Sequence, residues 1–173
     1  MDVAALLLEL YGRIPPLAGA AVTGAEPGQL LVRVTPDANP IAWLVWHAAR
    51  VQDHHIAEIL DADQVWADGD WAAHFGLAPD PQNMGYDHSS EDVAAVRPDQ
   101  PDVLLEYLDA VDRRTRAFLE TLTPPDLDRI VDRRWDPPVT LGVRLVSIAD
   151  DGLQHLGQAA YVRGILGDDT LGQ

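Results

Sequence analysis

The sequence predicts an all-α protein, a four-helix bundle with long crossover connections. Three observations predict it. Four segments repeat apolar residues at the i, i+3, i+4 spacing of a helix that buries one face. Clusters rich in Pro, Gly and Asp separate those segments and stop helices between them. Only one short strand-like run, from Ile130 to Trp135, interrupts the helical pattern. The 173 residues are enough for one core and short for two, so residues 1–173 are expected to form a single domain.

The first helix is expected from about Asp2 to Ala20, with Leu6, Leu7, Leu10, Tyr11 and Ile14 on its buried face and a kink or break at Pro15-Pro16. Gly24 and Pro27-Gly28 close it. The second starts at Asn39-Pro40, a cap followed by proline at the first helical position, and runs to about Leu60. Leu44, His47, Ala48, Val51, His54, His55 and Glu58 fall near one face of it. Residues 62–100 read as a long irregular connection, with a short helix from Gly69 to Phe75 and no regular structure from Pro79 to Pro101. Connections of this length are usually binding loops or lids. The third helix begins near Pro101, carries Val103, Leu104, Tyr107, Leu108, Val111, Phe118 and Leu122 as its stripe, and ends before Pro124-Pro125. The fourth follows Thr140, a fair N-cap, and stops near Gly167. The connections after the first and second helices are long enough to cross the bundle.

Composition excludes several chemistries. Lys+Arg total 12 against 28 Asp+Glu, for a net charge of −16, and every basic residue is arginine. That balance argues against nucleic acid, whose binding rests on neutralised phosphates, and against an anionic membrane surface. With no cysteine there is no disulfide, thiolate nucleophile or thiolate metal site. With no lysine there is no Schiff-base amine. The acidic start Met1-Asp2 and the short run Val3 to Leu8 do not resemble a secretory signal, and no uninterrupted apolar stretch approaches the ~20 residues of a membrane span. A cytoplasmic location is expected.

The fourth helix places Leu141, Arg144, Ile148, Asp151, His155, Gln158 and Val162 on one advancing face. Asp151 and His155 are one i, i+4 step apart, so a carboxylate and an imidazole meet on it. An unpaired buried carboxylate is costly and calls for a positive partner, either Arg144 or a metal ion. His47 sits in the apolar run WLVWHAARV and should also face inward. His47, Asp151 and His155 are therefore the candidate metal ligands. Two imidazoles and a carboxylate suit zinc, nickel or iron and leave positions open for water or substrate. The spacing also allows a plain core histidine and a helix-surface Asp–His pair. His54 lies seven residues past His47, about 10 Å along the axis, too far to share the ion; it reads as a pocket-lining residue or as a polar residue at the end of the helix. His74 could reach over the pocket mouth. These two are the catalytic candidates that the sequence offers. His55 and His88 read as solvated or loop residues, and Arg133-Arg134 as paired with nearby acids.

The segments WLVWHAARVQDHH and DDGLQHLGQAAYVRGIL, in this order and separation, resemble the DinB-like superfamily of metal-binding bundles, which includes the metal-binding domain of mycothiol-dependent maleylpyruvate isomerase. The resemblance runs from LYGRIPPL to YVRGIL. It implies a four-helix bundle and a metal held by one histidine of the second helix and, on the last, by Glu or His followed four residues later by His. Those positions are His47, Asp151 and His155. The departure is Asp151, where a longer Glu or His is commoner; the shorter arm calls for weaker binding, a bridging water or closer helices. The isomerase carries a further C-terminal domain that is not expected here, so its activity is not carried over.

The resemblance implies a metal-dependent enzyme that uses an external low-molecular-weight thiol such as mycothiol in a transferase or isomerase reaction on a small-molecule substrate. The alternatives are a metal-dependent hydrolase, a non-catalytic metal or small-ligand binding bundle, and a structural bundle. A homodimer is expected, as bundles of this superfamily commonly pair.

Overall fold

A computed structural model of the chain describes residues 1–167. It is mostly helical, as the apolar periodicity requires, with one two-stranded antiparallel ribbon. The helices are α1 (Val3–Tyr11), α2 (Ile14–Val22), α3 (Pro27–Leu30), α4 (Ile41–Leu60), α5 (Trp71–His74), α6 (Ser90–Ala95), α7 (Pro101–Leu119) and α8 (Leu141–Leu166). Strands β1 (Ile130–Asp132) and β2 (Val139–Thr140) pair between α7 and α8.

The bundle is built by α1–α2, α4, α7 and α8. Both α2 and α4 pack against α7 and against α8, so the first two rods face each other diagonally across the bundle. The chain therefore crosses over between α2 and α4, as its long connections allow. Gly152 permits the close approach of α2 to α8: an added methyl group would lie 3.3 Å from Ile14 Cδ1. Tyr11, fully buried, donates its hydroxyl to the Leu145 carbonyl at 2.8 Å and ties α1 to α8.

Several boundaries differ from the sequence expectation for physical reasons. The first rod breaks at Gly12-Arg13 rather than at Pro15-Pro16; the prolines occupy the first turn of α2, where their missing amide hydrogens cost nothing. Leu6 is exposed, and Leu7, Tyr11 and Ile14 carry the buried face instead. By length and hydropathy alone Val3–Val22 could cross a membrane. The break at Gly12-Arg13 and the burial of Tyr11, Ile14, Ala18, Ala21 and Val22 in the core account for that apolarity. Pro40, not Asn39, caps α4, and no side chain bonds the cap. Within 79–101, read as irregular, α6 forms because Ser89 and Asp92 make a reciprocal capping box.

Helix α4 is the axis of the molecule. Residues Ile41 to Asp53 are all buried, including His47, Arg50, Gln52 and Asp53. No polar face is left on that stretch, so the polar side chains there must find partners within the fold. Thr140 caps α8 by accepting from Val143 N. The buried stripe of α8 is Leu141, Leu145, Ile148, Ala149, Gly152, Leu156, Ala159 and Val162. Gln158 is exposed, and Arg144, Asp151 and His155 stand half-buried along the edge of that stripe.

Candidate metal centre

Helix α4 supplies His47 from the core, and α8 supplies Asp151 and His155 from the rim of its buried face. His47 Nε2 lies 3.7 Å from Asp151 Oδ1, and His155 Nδ1 lies 3.5 Å from Asp151 Oδ2. The two imidazole centroids are 4.5 Å apart, edge to face. Each of the three residues offers a ligand atom within 4.8 Å of the others. Tetrahedral zinc, with bonds near 2.0–2.1 Å, holds its ligand atoms about 3.3 Å apart.

The hydrogen bonds around the two rings match a metal site. His47 Nδ1 donates to the Met84 carbonyl at 2.5 Å, and His155 Nδ1 donates to the Asp151 carbonyl at 2.8 Å. Both bonds fix the tautomer that leaves Nε2 with a lone pair. Asp151 Oδ2 is buried with no hydrogen-bond partner. A buried carboxylate oxygen without a hydrogen-bond partner, on a side chain flanked by two imidazoles, is the chemistry of a cation site. Burial would raise the Asp151 pKa, but the neighbouring His155 and His47 rings outweigh it and hold the carboxyl down to about 2. It is ionised at any physiological pH. Burial likewise pulls His155 down, and the adjacent Asp151 carboxylate and carbonyl more than offset that, so its pKa is raised.

Arg144 is not the partner of Asp151. Its Nη2 lies 2.7 Å from Asp132 at the end of β1, and its Nη1 faces His55 Nε2 at 3.4 Å. Arg134 clamps the same Asp132 through Nε and Nη2, both at 2.8 Å, as the acid pairing expected for this arginine. The Arg134 hydrogen bond foremost, together with Arg144, holds the Asp132 carboxyl well below the usual carboxylate range. The centre opens into a cleft of about 350 Å³ bounded by Asp151, His155, Gln154, His55, Tyr86 and Arg144.

The mycothiol-S-transferase family matches this chain over residues 18–167. The chain belongs to that family. It is a DinB-like family, in agreement with the bundle and with the order of its motifs. A solved structure described as the conserved protein of a locus from Enterococcus faecalis shares the fold at a TM-score of 0.87 and 29% identity, over 100% of this chain and 99% of that one. No curated protein matches.

The remaining histidines of this family member have other partners. His54 bonds Gln64 Nε2 at 3.0 Å, and exposed His74 pairs with Asp99 at 2.8 Å; neither lines the cleft. His55 does line it, and burial, then the Arg144 charge, pushes its pKa down to about 4, so it is neutral there. His54, His55 and Glu58 form a second grouping of potential ligands, but Arg144 lies against His55, and Arg134 bonds Glu58 at 3.1 Å. His88 accepts from Trp43 Nε1 and donates to Asn83 Oδ1, which anchors the 83–88 turn on α4.

Two residues at the centre were not legible beforehand. Tyr86 packs edge to face on His47, with ring centroids 5.3 Å apart, and lines the cleft. Burial, then the Asp151 charge, raises its pKa, so the phenol keeps its proton. Gly85 has φ +101° and lets the turn pass directly over the His47 ring. An added methyl group would sit 2.7 Å from His47 Nδ1 and 3.0 Å from Trp43 Cζ2. Gly85→Ala is therefore expected to lift the turn, break the Met84–His47 bond and weaken metal binding roughly 10–100-fold. Unchanged metal affinity in a competition titration would show that the turn does not orient the ring.

Proposed function

We propose that this protein is a metal-dependent enzyme that transfers a low-molecular-weight thiol of the mycothiol type to a small electrophile. In this reading His47, Asp151 and His155 hold one divalent metal ion, with zinc, nickel and iron all compatible with the donor set, and residues 1–173 act as one domain. The observation that carries it is the buried Asp151 Oδ2, unpartnered beside two histidines whose Nδ1 atoms are already committed to carbonyls. Membership of the mycothiol-S-transferase family supplies the thiol, which a cysteine-free chain must take from outside.

The metal, when bound, would lower the pKa of the thiol and hold it as thiolate. The protein's own groups do the rest. Two carbonyl-anchored imidazoles and one ionised carboxylate keep the ligand atoms oriented. Trp43, stacked on His47 at 4.6 Å, closes one side of the centre against water. Tyr86, still protonated, presents a hydroxyl donor to whatever enters the cleft.

The test is transfer of mycothiol to 1-chloro-2,4-dinitrobenzene by protein purified without a histidine tag. Elemental analysis should find one metal per chain. Chelation should reduce the rate to the uncatalysed background, and added zinc should restore it. Turnover that survives chelation overturns the metal assignment. Full metal occupancy with no turnover across a panel of thiols identifies a binding module instead.

A further inference from the structure

A second cleft adjoins the metal centre. It has a volume of about 400 Å³ and is lined by His55, Tyr86, Asp132, Arg134, Trp135 and Arg144. His55, Tyr86 and Arg144 also line the first cleft, so the two share a wall, while Asp151 and His155 line only the first.

In a chain of net charge −16, this lining carries two guanidiniums against one carboxylate. Asp132, buried and ionised, grips both: Arg144 through Nη2, and Arg134 through Nε and Nη2. Glu58 adds a bond to Arg134 Nη2. Among the described residues, no partner engages Arg134 Nη1 or Arg144 Nε. Two guanidiniums are thus held in place with donors to spare, the arrangement that recognises a carboxylate. Next to them the Trp135 indole is 65% exposed, although large aromatics are usually placed to bury their faces. An exposed ring beside a fixed cation is a platform for a planar, electron-poor group.

We infer that this second cleft binds the electrophilic reactant, and that it selects acceptors in which a planar unsaturated or aromatic body carries a carboxylate. The inference rests on the thiol-transfer reading above. With the acceptor body on Trp135 and its carboxylate on Arg134 and Arg144, its electrophilic carbon faces the shared wall and the thiolate beyond. For a chloronitrobenzoate the step balances simply. The thiolate sulfur forms a bond to the ring carbon that carries chlorine. The C–Cl bond breaks, chloride leaves with the electron pair, and the thiol proton goes to solvent.

The experiment compares 4-chloro-3-nitrobenzoate with 4-chloro-3-nitrobenzamide as acceptors, and measures binding of the unreactive 3-nitrobenzoate and 3-nitrobenzamide to the metal-loaded protein by calorimetry. The benzoate is expected to bind at least about tenfold tighter than the amide and to show a correspondingly lower KM. Arg134→Gln, at a side chain 68% exposed, should erase that preference and leave the KM for mycothiol unchanged. Trp135→Ala should weaken both acceptors alike. The benzoate preference should persist after the metal is stripped, which separates this cleft from a carboxylate bound at the metal ligands. Equal affinity for benzoate and amide overturns the inference. So does a preference lost with the metal, or a rise in the mycothiol KM in Arg134→Gln, which would put the thiol's own sugar body there. If no acceptor turns over but nitrobenzoate binds with the Arg134 dependence, the cleft assignment stands and the thiol-transfer reading fails.

Discussion

His47→Ala is expected to leave the protein folded but without metal. The side chain is 2% exposed and offers one of the three proposed ligand atoms, so its loss leaves two donors, both on α8, and no bridge from α8 to α4. Disturbing a residue that merely orients a ligand costs about 10–100-fold in affinity, and removing the ligand itself should exceed that. Metal content after dialysis should fall from one per chain to a trace, and thiol transfer should fall with it. The cost in folding is smaller, because α4 and α8 remain joined by an extensive apolar contact, and what is lost is the Met84 bond and the ring contacts with Trp43, Tyr86 and His155. His47→Gln, closer in volume, provides the control for packing and should also lose the metal. Retention of stoichiometric metal by both variants would move the centre away from these residues.

The largest expected effect on stability lies one helical turn further along α4. Arg50 is completely buried. Its guanidinium donates to the carbonyls of Asn83 and Pro81 at 3.0 and 3.1 Å, to Gln64 Oε1 at 2.9 Å and to the Tyr107 hydroxyl at 3.1 Å, and its Cζ lies 4.6 Å from the Trp66 ring centroid. Its counterion is Asp53, which also accepts from the amides of Val65 and Trp66 and from the Tyr107 hydroxyl. Arg50→Met would leave Asp53 charged and short of its cation, a change that typically costs about 3–5 kcal/mol. In a protein of this size that is a fall of roughly 6–20 °C in melting temperature. The same substitution releases the carbonyls of Pro81 and Asn83, just before the turn over His47. Protease cleavage within residues 62–85 and weaker metal binding should therefore accompany the thermal loss. Arg50→Lys keeps the charge but not the planar fork and should recover only part of both. A loss below about 1 kcal/mol in Arg50→Met would show that the loop is held by its apolar contacts alone.

The four rods and the convergence of His47, Asp151 and His155 were legible because both depend on helical periodicity. The i, i+4 spacing of Asp151 and His155 specifies their shared face, and the apolar run around His47 specifies its burial. Arg144 lies on the same period as Asp151, which made it a reasonable ionic partner. The actual partner, Asp132, comes from a strand whose position no periodicity encodes. Tyr86 and Gly85 were hidden for the same reason. They act through a turn folded back by long-range bonds from Arg50 and Trp43, and nothing local in the PQNMGYDHSS segment says where it docks. The positive φ of Gly85 is the one local signal, and glycine in a Pro- and Asp-rich stretch reads as an ordinary turn. The near-complete burial of α4 was also missed, because its scattered histidines and arginine mimic a polar face.

Met84 takes part in the centre only through its carbonyl oxygen. Any side chain at that position can leave the imidazole's alignment intact, so natural drift at residue 84 would go unpunished while its neighbour stays invariant. A substitution map of the region would show a freely variable site next to an intolerant one. A reader ranking functional importance by side-chain identity would pass over the atom that aims His47.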